Sequence, residues 1–163
     1  MKQSIFDLLK EVEIKIGTNI EFYSSRGRQK VQIIVYLLKY FKVKVPRKYK
    51  FDIYFHGAYS IQLAGEYDFI VNNKLKVLFE ELVNVKSRNK INNKIIEVMK
   101  KILFMNGKST SLTILEEITT LLSLHDKFKR PEDALSKART LLPYRNNSTW
   151  KTAINIINKN NIW

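Results

Sequence analysis

Apolar positions recur along most of this chain at helical spacing. Ile5, Leu8, Leu9 and Val12, followed by Ile16, mark one face of a short amphipathic helix over 4–15, which Gly17-Thr18-Asn19 ends. A second helix is predicted from about Arg26 to Lys42, with Ser24 or Ser25 as its cap. Around that helix Ile33, Ile34, Leu37, Leu38 and Phe41 share one side. Arg28, Gln32, Lys39 and Lys42 share the other, with Val35 as the one apolar intruder. Pro46 disfavours helix in the residue before it. Lys50 to Phe55 then alternates Phe51, Ile53 and Phe55 against Asp52 and Tyr54, a short strand. His56-Gly57-Ala58 turns the chain into a helix from Tyr59 or Ser60 to Ile70, closed by Asn72-Asn73. Residues 75–86 read as two short strands turning near Glu80-Glu81, although a helix fits nearly as well.

The remainder is helical. Ile91, Ile95, Val98, Met99, Ile102 and Met105 form one stripe, and Asn106-Gly107 supplies a stop. Thr113 to Glu116 has the capping-box pattern, opening a helix through Ile118, Leu121, Leu122 and His125. Pro131, with Glu132 and Asp133 beside it, suits the first turn of another. That helix packs Ala134, Leu135, Ala138, Leu141 and Leu142 before Pro143. A last helix from Ser148 offers Trp150, Ala153, Ile154 and Ile157. The fold class expected is mainly α: a winged-helix-like core of helix, strand, helix and β-hairpin, with additional C-terminal helices. All 163 residues fit one domain, 1–88 forming the core with its N-terminal helix and 89–163 a helical extension packed on it.

Two segments resemble a known family. Arg28-Gln-Lys-Val-Gln-Ile-Ile-Val-Tyr-Leu-Leu38 is similar to the first core helix of the YwgA-like and SocA-like (Panacea-domain) proteins. Tyr54-Phe-His-Gly-Ala-Tyr-Ser-Ile-Gln-Leu63 resembles their aromatic-x-Tyr-Gly-Pro-Tyr-Ser-x-x-Leu turn, with His56 in place of tyrosine and Ala58 in place of proline. A looser likeness extends to about residue 157, through Leu115-Glu116 and Ala153-x-x-Ile156-Ile157. The resemblance implies a mostly helical module without an enzyme site, antitoxin-like or regulatory in some relatives.

Composition narrows the chemistry. Cysteine is absent, which excludes a disulfide scaffold, a thiolate zinc site and a cysteine nucleophile. Two histidines are too few for a three-histidine metal centre. No metal site or cofactor is expected. Hydrophobic residues make up 45%, too many for a disordered chain. Charged residues interrupt the N-terminus (Lys2, Asp7, Lys10, Glu11, Glu13), leaving no secretory h-region, and the longest apolar run is Ile33 to Leu38. A cytoplasmic location without membrane association is therefore expected.

Net charge is +14, although an Asn-, Ile- and Lys-rich composition of the kind an AT-rich genome encodes accounts for part of the lysine. Its distribution is more informative. Phe22 to Lys50 contains nine basic residues and no acid: Arg26, Arg28, Lys30, Lys39, Lys42, Lys44, Arg47, Lys48 and Lys50. If they converge on one surface they can neutralise phosphates, each engaged phosphate adding about −0.9 to the salt slope. The expected nucleic-acid-binding residues are Arg28, Lys39, Lys42, Lys44, Arg47, Lys48 and Lys50, with Tyr49 placed to stack on a base. Double-stranded DNA is the partner expected, and a transcriptional regulator is one form of that function. A solvated face is the plainer account of the same charges.

The helix at 59–70 brings Glu66 and Asp68 and no cation, which argues against its entering a major groove. It and the preceding turn are instead the surface of the alternative, a protein-binding antitoxin-like or regulatory module contacting its partner through His56, Tyr59 and Gln62. A nuclease is disfavoured: Glu13-Ile14-Lys15 precedes Asp68 and reads as helix, and Glu80-Glu81 lacks a lysine two residues on. No phosphate loop, nucleophile elbow or zinc-protease motif occurs. Catalysis is not expected, and the oligomeric state stays open.

Overall fold

Helix-forming runs with apolar stripes become helices because only packing of those stripes makes helices of this length stable. The computed structural model describes residues 5–72 and 91–163. In chain order these residues form α1 (Ile5–Ile16), α2 (Ser25–Tyr40), β1 (Asp52–Tyr54), β2 (Gly57–Tyr59) and α3 (Ile61–Asn72). Beyond residue 90 come α4 (Asn93–Leu103), β3 (Phe104–Met105), β4 (Lys108–Ser109), α5 (Leu112–Phe128), α6 (Pro131–Leu141) and α7 (Asn147–Lys159). The fold is mainly helical, with two small antiparallel hairpins. None of the described helices is long and apolar enough to cross a membrane.

Helices α2 and α5 form the middle. Helix α5 packs on α2, β2, α6 and α7, while α2 also meets α1 and α3. One hydrophobic cluster runs from Ile5 to Ile157 through all seven described helices. The apolar faces before and after residue 88 are thus buried on each other. Helix α4 is tied to α1 by a polar clamp. The buried Glu11 carboxylate accepts the Ile91 N–H at 3.1 Å and pairs with Lys15 at 2.6 Å, and Lys15 reaches the Ile91 carbonyl at 3.3 Å.

Three local expectations are corrected. Helix α2 is not half charged: every residue from Val31 to Leu38 is buried, Gln32 and Val35 included, because neighbours enclose it on all sides. The strand expected over 50–55 is confined to Asp52–Tyr54, and Tyr59, expected at the start of the next helix, lies in β2. β1 pairs at once with β2, Asp52 opposite Tyr59 and Ile53 opposite Ala58. Gly57 at φ +82° closes the tight turn over Phe55 and His56. The hairpin expected at 75–86 lies outside the described residues. Finally, α5 is capped by Ser111, which accepts the Ile114 N–H, two residues ahead of the expected Thr113.

Two further boundaries shift for similar reasons. Asn106 (φ 52°) and Gly107 (φ 76°) form the turn of the β3–β4 hairpin, so α4 ends at Leu103 rather than at Met105. Helix α2 ends in a Schellman motif: the Val43 N–H bonds the Leu38 carbonyl and the Lys42 N–H bonds that of Lys39. Lys42 occupies the left-handed position at φ 62° where glycine is usual.

Candidate nucleic-acid interface

The nine cations of 22–50 do not form one patch. Arg26, Arg28 and Lys30 lie at the start of α2, and the other six at or beyond its end. From Arg28 to the end of α2 at Tyr40 the helix rises about 18 Å, and Lys42 lies beyond that end. Arg28 is a structural residue: its guanidinium donates to the carbonyls of Phe22 (3.0 Å) and Tyr23 (3.1 Å), tying the preceding loop to α2. Lys30 likewise reaches the Asn19 carbonyl at 3.2 Å, and burial lowers its pKa.

At the far end, the connection from Phe41 to Phe51 carries the rest. Lys39 donates to the Tyr49 carbonyl at 2.7 Å and lies 5.6 Å from the centre of the Phe51 ring, so it anchors this connection to α2. Tyr49 is fully buried and cannot stack on a base, which corrects that expectation. Its hydroxyl donates to the Glu66 carboxylate on α3. Burial, reinforced by that carboxylate, pushes the phenol far above its ordinary range. Lys48 pairs with the same carboxylate, so Glu66 is taken up internally. Lys42, Lys44, Arg47 and Lys50 remain exposed, with no ion-pair partner among the described residues. The connection thus presents four unengaged cations, with Lys48 beside them at 59% side-chain exposure.

The alternative surface is also divided. Gln62 is exposed and shares a hydrogen bond with Ser60. Tyr59 is half-buried: its ring packs edge-on against Tyr54 at 5.4 Å and its hydroxyl bonds with that of Tyr67. His56 projects from the hairpin tip, with Nδ1 3.3 Å from Glu116 of α5.

Around His56 the fold assembles residues that no local pattern had connected. Arg145, in the α6–α7 connection, pairs with the buried Glu116 at 2.5 Å and donates to the Phe55 carbonyl at 2.9 Å. The Tyr144 hydroxyl donates to the same carbonyl at 3.2 Å. Next in sequence, Glu117 is fully buried. One of its oxygens accepts from Thr149 at 2.6 Å, and the other has no hydrogen-bond partner among the described residues. Burial holds its pKa above the usual carboxylate range. The only sequence signal for this cluster was two adjacent glutamates inside an apolar helix stripe. Glu13 and Lys15, weighed above as a nuclease fragment, serve the fold: Glu13 accepts the Ile20 N–H at 3.0 Å and pairs with Lys10.

Comparison with known families, with curated proteins and with solved structures finds no match for this chain.

Proposed function

We propose that this protein binds nucleic acid, duplex DNA in the first instance, through phosphate contacts from Lys42, Lys44, Arg47 and Lys50, with Lys48 as a fifth donor. The observation supporting this is that four cations on one short connection are exposed and lack carboxylate partners among the described residues. The one carboxylate bonded to this connection is already occupied. Lys39 and the Tyr49–Glu66 bond fix the connection to α2 and α3, so less conformational freedom is lost on binding. Such contacts position a protein on a duplex and carry no sequence information. In a winged-helix reading α3 would be the recognition helix. Its exposed Asp68 and lack of cations favour binding without base readout. The role is one of binding, without a catalytic step.

The test is a gel shift with Lys42, Lys44, Arg47 and Lys50 all replaced by Glu. Loss of the shift with unchanged thermal unfolding supports the reading, and an unchanged shift ends it. A second reading, a protein-binding regulatory module, is favoured by Ile61, 63% exposed beside Gln62. Co-purification of a stoichiometric protein, abolished by Ile61→Asp, would select it.

A further inference from the structure

At the end of α2 opposite the proposed interface, a cleft of about 500 Å³ opens between the β1–β2 hairpin, the start of α5 and the α6–α7 connection. Two aromatic rings stand at its rim. Phe55 is 70% exposed and Tyr144 58%, large exposures for apolar groups, and the rings lie 6.5 Å apart at 40°. Arg26 lines the same cleft, exposed and without an ion-pair partner among the described residues. The floor is the ion pair of Glu116 and Arg145, whose side chains are 5% and 11% exposed. Both Glu116 oxygens are engaged, one by Arg145 and one by His56. Two arginines against one carboxylate leave the cleft with a positive charge in excess.

The walls are also fixed in advance. The Phe55 carbonyl accepts from both Tyr144 and Arg145. Gly57 lies so close to α5 that a methyl group there would come within 2.7 Å of Thr119 Oγ1. The Arg145 guanidinium lies over one face of Tyr144, 5.6 Å from the ring centre, which leaves its other face and the exposed Phe55 ring for a ligand. Exposed rings beside the unpaired Arg26 guanidinium match a ligand with a flat ring at one end and an anion at the other. Stacking on such faces tolerates any base, because every base has a π-face.

We propose that this cleft binds a phosphorylated nucleotide unit, the base against Phe55 and Tyr144 and the phosphate against Arg26. The unit is either a free nucleoside monophosphate or the 5′-phosphorylated end of a strand. The site is independent of the 42–50 connection, so either proposal can fail alone.

The experiment is calorimetric titration of the full chain with adenosine 5′-monophosphate, adenosine, inorganic phosphate, and a hexathymidylate with and without a 5′-phosphate. Adenosine and phosphate alone should each bind at least about tenfold more weakly than the monophosphate. Phe55→Ala and Arg26→Gln should each weaken the monophosphate about tenfold, the range expected for one stacked base. Both side chains are exposed, so neither variant threatens the fold. The variant with Lys42, Lys44, Arg47 and Lys50 changed to Glu should bind the monophosphate as the parent does. Tighter binding of the phosphorylated hexamer than of the monophosphate identifies a strand end, and the reverse a free nucleotide. If neither binds at millimolar concentration, or if both variants bind as the parent does, the proposal is overturned.

Discussion

Gln32 holds Ser60 from both sides of its backbone. The amide oxygen of Gln32 accepts the Ser60 N–H at 2.9 Å, and its amide nitrogen donates to the Ser60 carbonyl at 3.0 Å and to the Tyr67 hydroxyl at 3.1 Å. All three groups are buried, so one polar side chain inside an otherwise apolar helix fixes where the hairpin becomes α3. Gln32→Leu leaves the buried Ser60 N–H unpaired, while the Ser60 carbonyl keeps the Ala64 N–H at 3.0 Å. One such group costs roughly 1–3 kcal/mol, and urea unfolding should show a loss in that range. A loss below about 0.5 kcal/mol would mean that water or a shifted chain satisfies Ser60.

Gly57→Ala is expected to be among the most damaging single-methyl changes. The position is left-handed at φ +82°, and the methyl would meet Thr119 Oγ1 at 2.7 Å and the Glu116 carbonyl oxygen at 2.8 Å. Backbone strain and overpacking together give about 2–4 kcal/mol. Thermal unfolding of the variant checks this directly.

Lys42→Gly works in the other direction. Relieving a left-handed lysine in the Schellman motif should stabilise the fold by about 0.5–1 kcal/mol, the strain relief being offset in part by the added freedom of the unfolded chain. The same change removes one proposed phosphate contact, so it should raise the melting temperature while weakening DNA binding. Movement of both quantities in one direction would contradict the account.

Glu117 gives a pH signature. Its carboxyl is buried and its pKa is raised in the folded state, so the folded chain binds this proton more tightly than the unfolded one. Stability should then fall as pH rises from the ordinary carboxylate value through the raised one. Glu117→Gln keeps an acceptor for Thr149 and should flatten that part of the stability–pH curve. A curve of unchanged slope would show that Glu117 does not titrate between the two states.

Most helices were legible because apolar spacing of three and four residues decides which face can be buried. Boundaries failed where a local bond competed with that pattern: Ser111 capped α5 before Thr113, and Asn106-Gly107 made a hairpin turn of what read as a helix stop. Val35 and Gln32 were misplaced for a different reason. The wheel assumes one solvent face, and α2 has none over Val31–Leu38.

The candidate sites were less legible still. Sequence gathers charges by their closeness along the chain, whereas a helix between them separates Arg28 from Lys42. Tyr49 lay among lysines, yet α3 supplied the carboxylate that buried it. Phe55, Glu116 and Arg145 are brought together only by long-range contacts. The residues that carry the resemblance to Panacea-domain proteins have packing duties: Gly57 lies against α5, Ser60 is held by Gln32, and Leu63 is buried.

Salt dependence of duplex DNA binding reads the proposed phosphate contacts without intermediaries. With four to five cations of the 42–50 connection on phosphates, log affinity against log salt should have a slope of about −4. Changing Lys42, Lys44, Arg47 and Lys50 to Glu should remove nearly all of that slope together with the binding. An unaltered slope and affinity in that variant would place the contacts elsewhere and contradict the account.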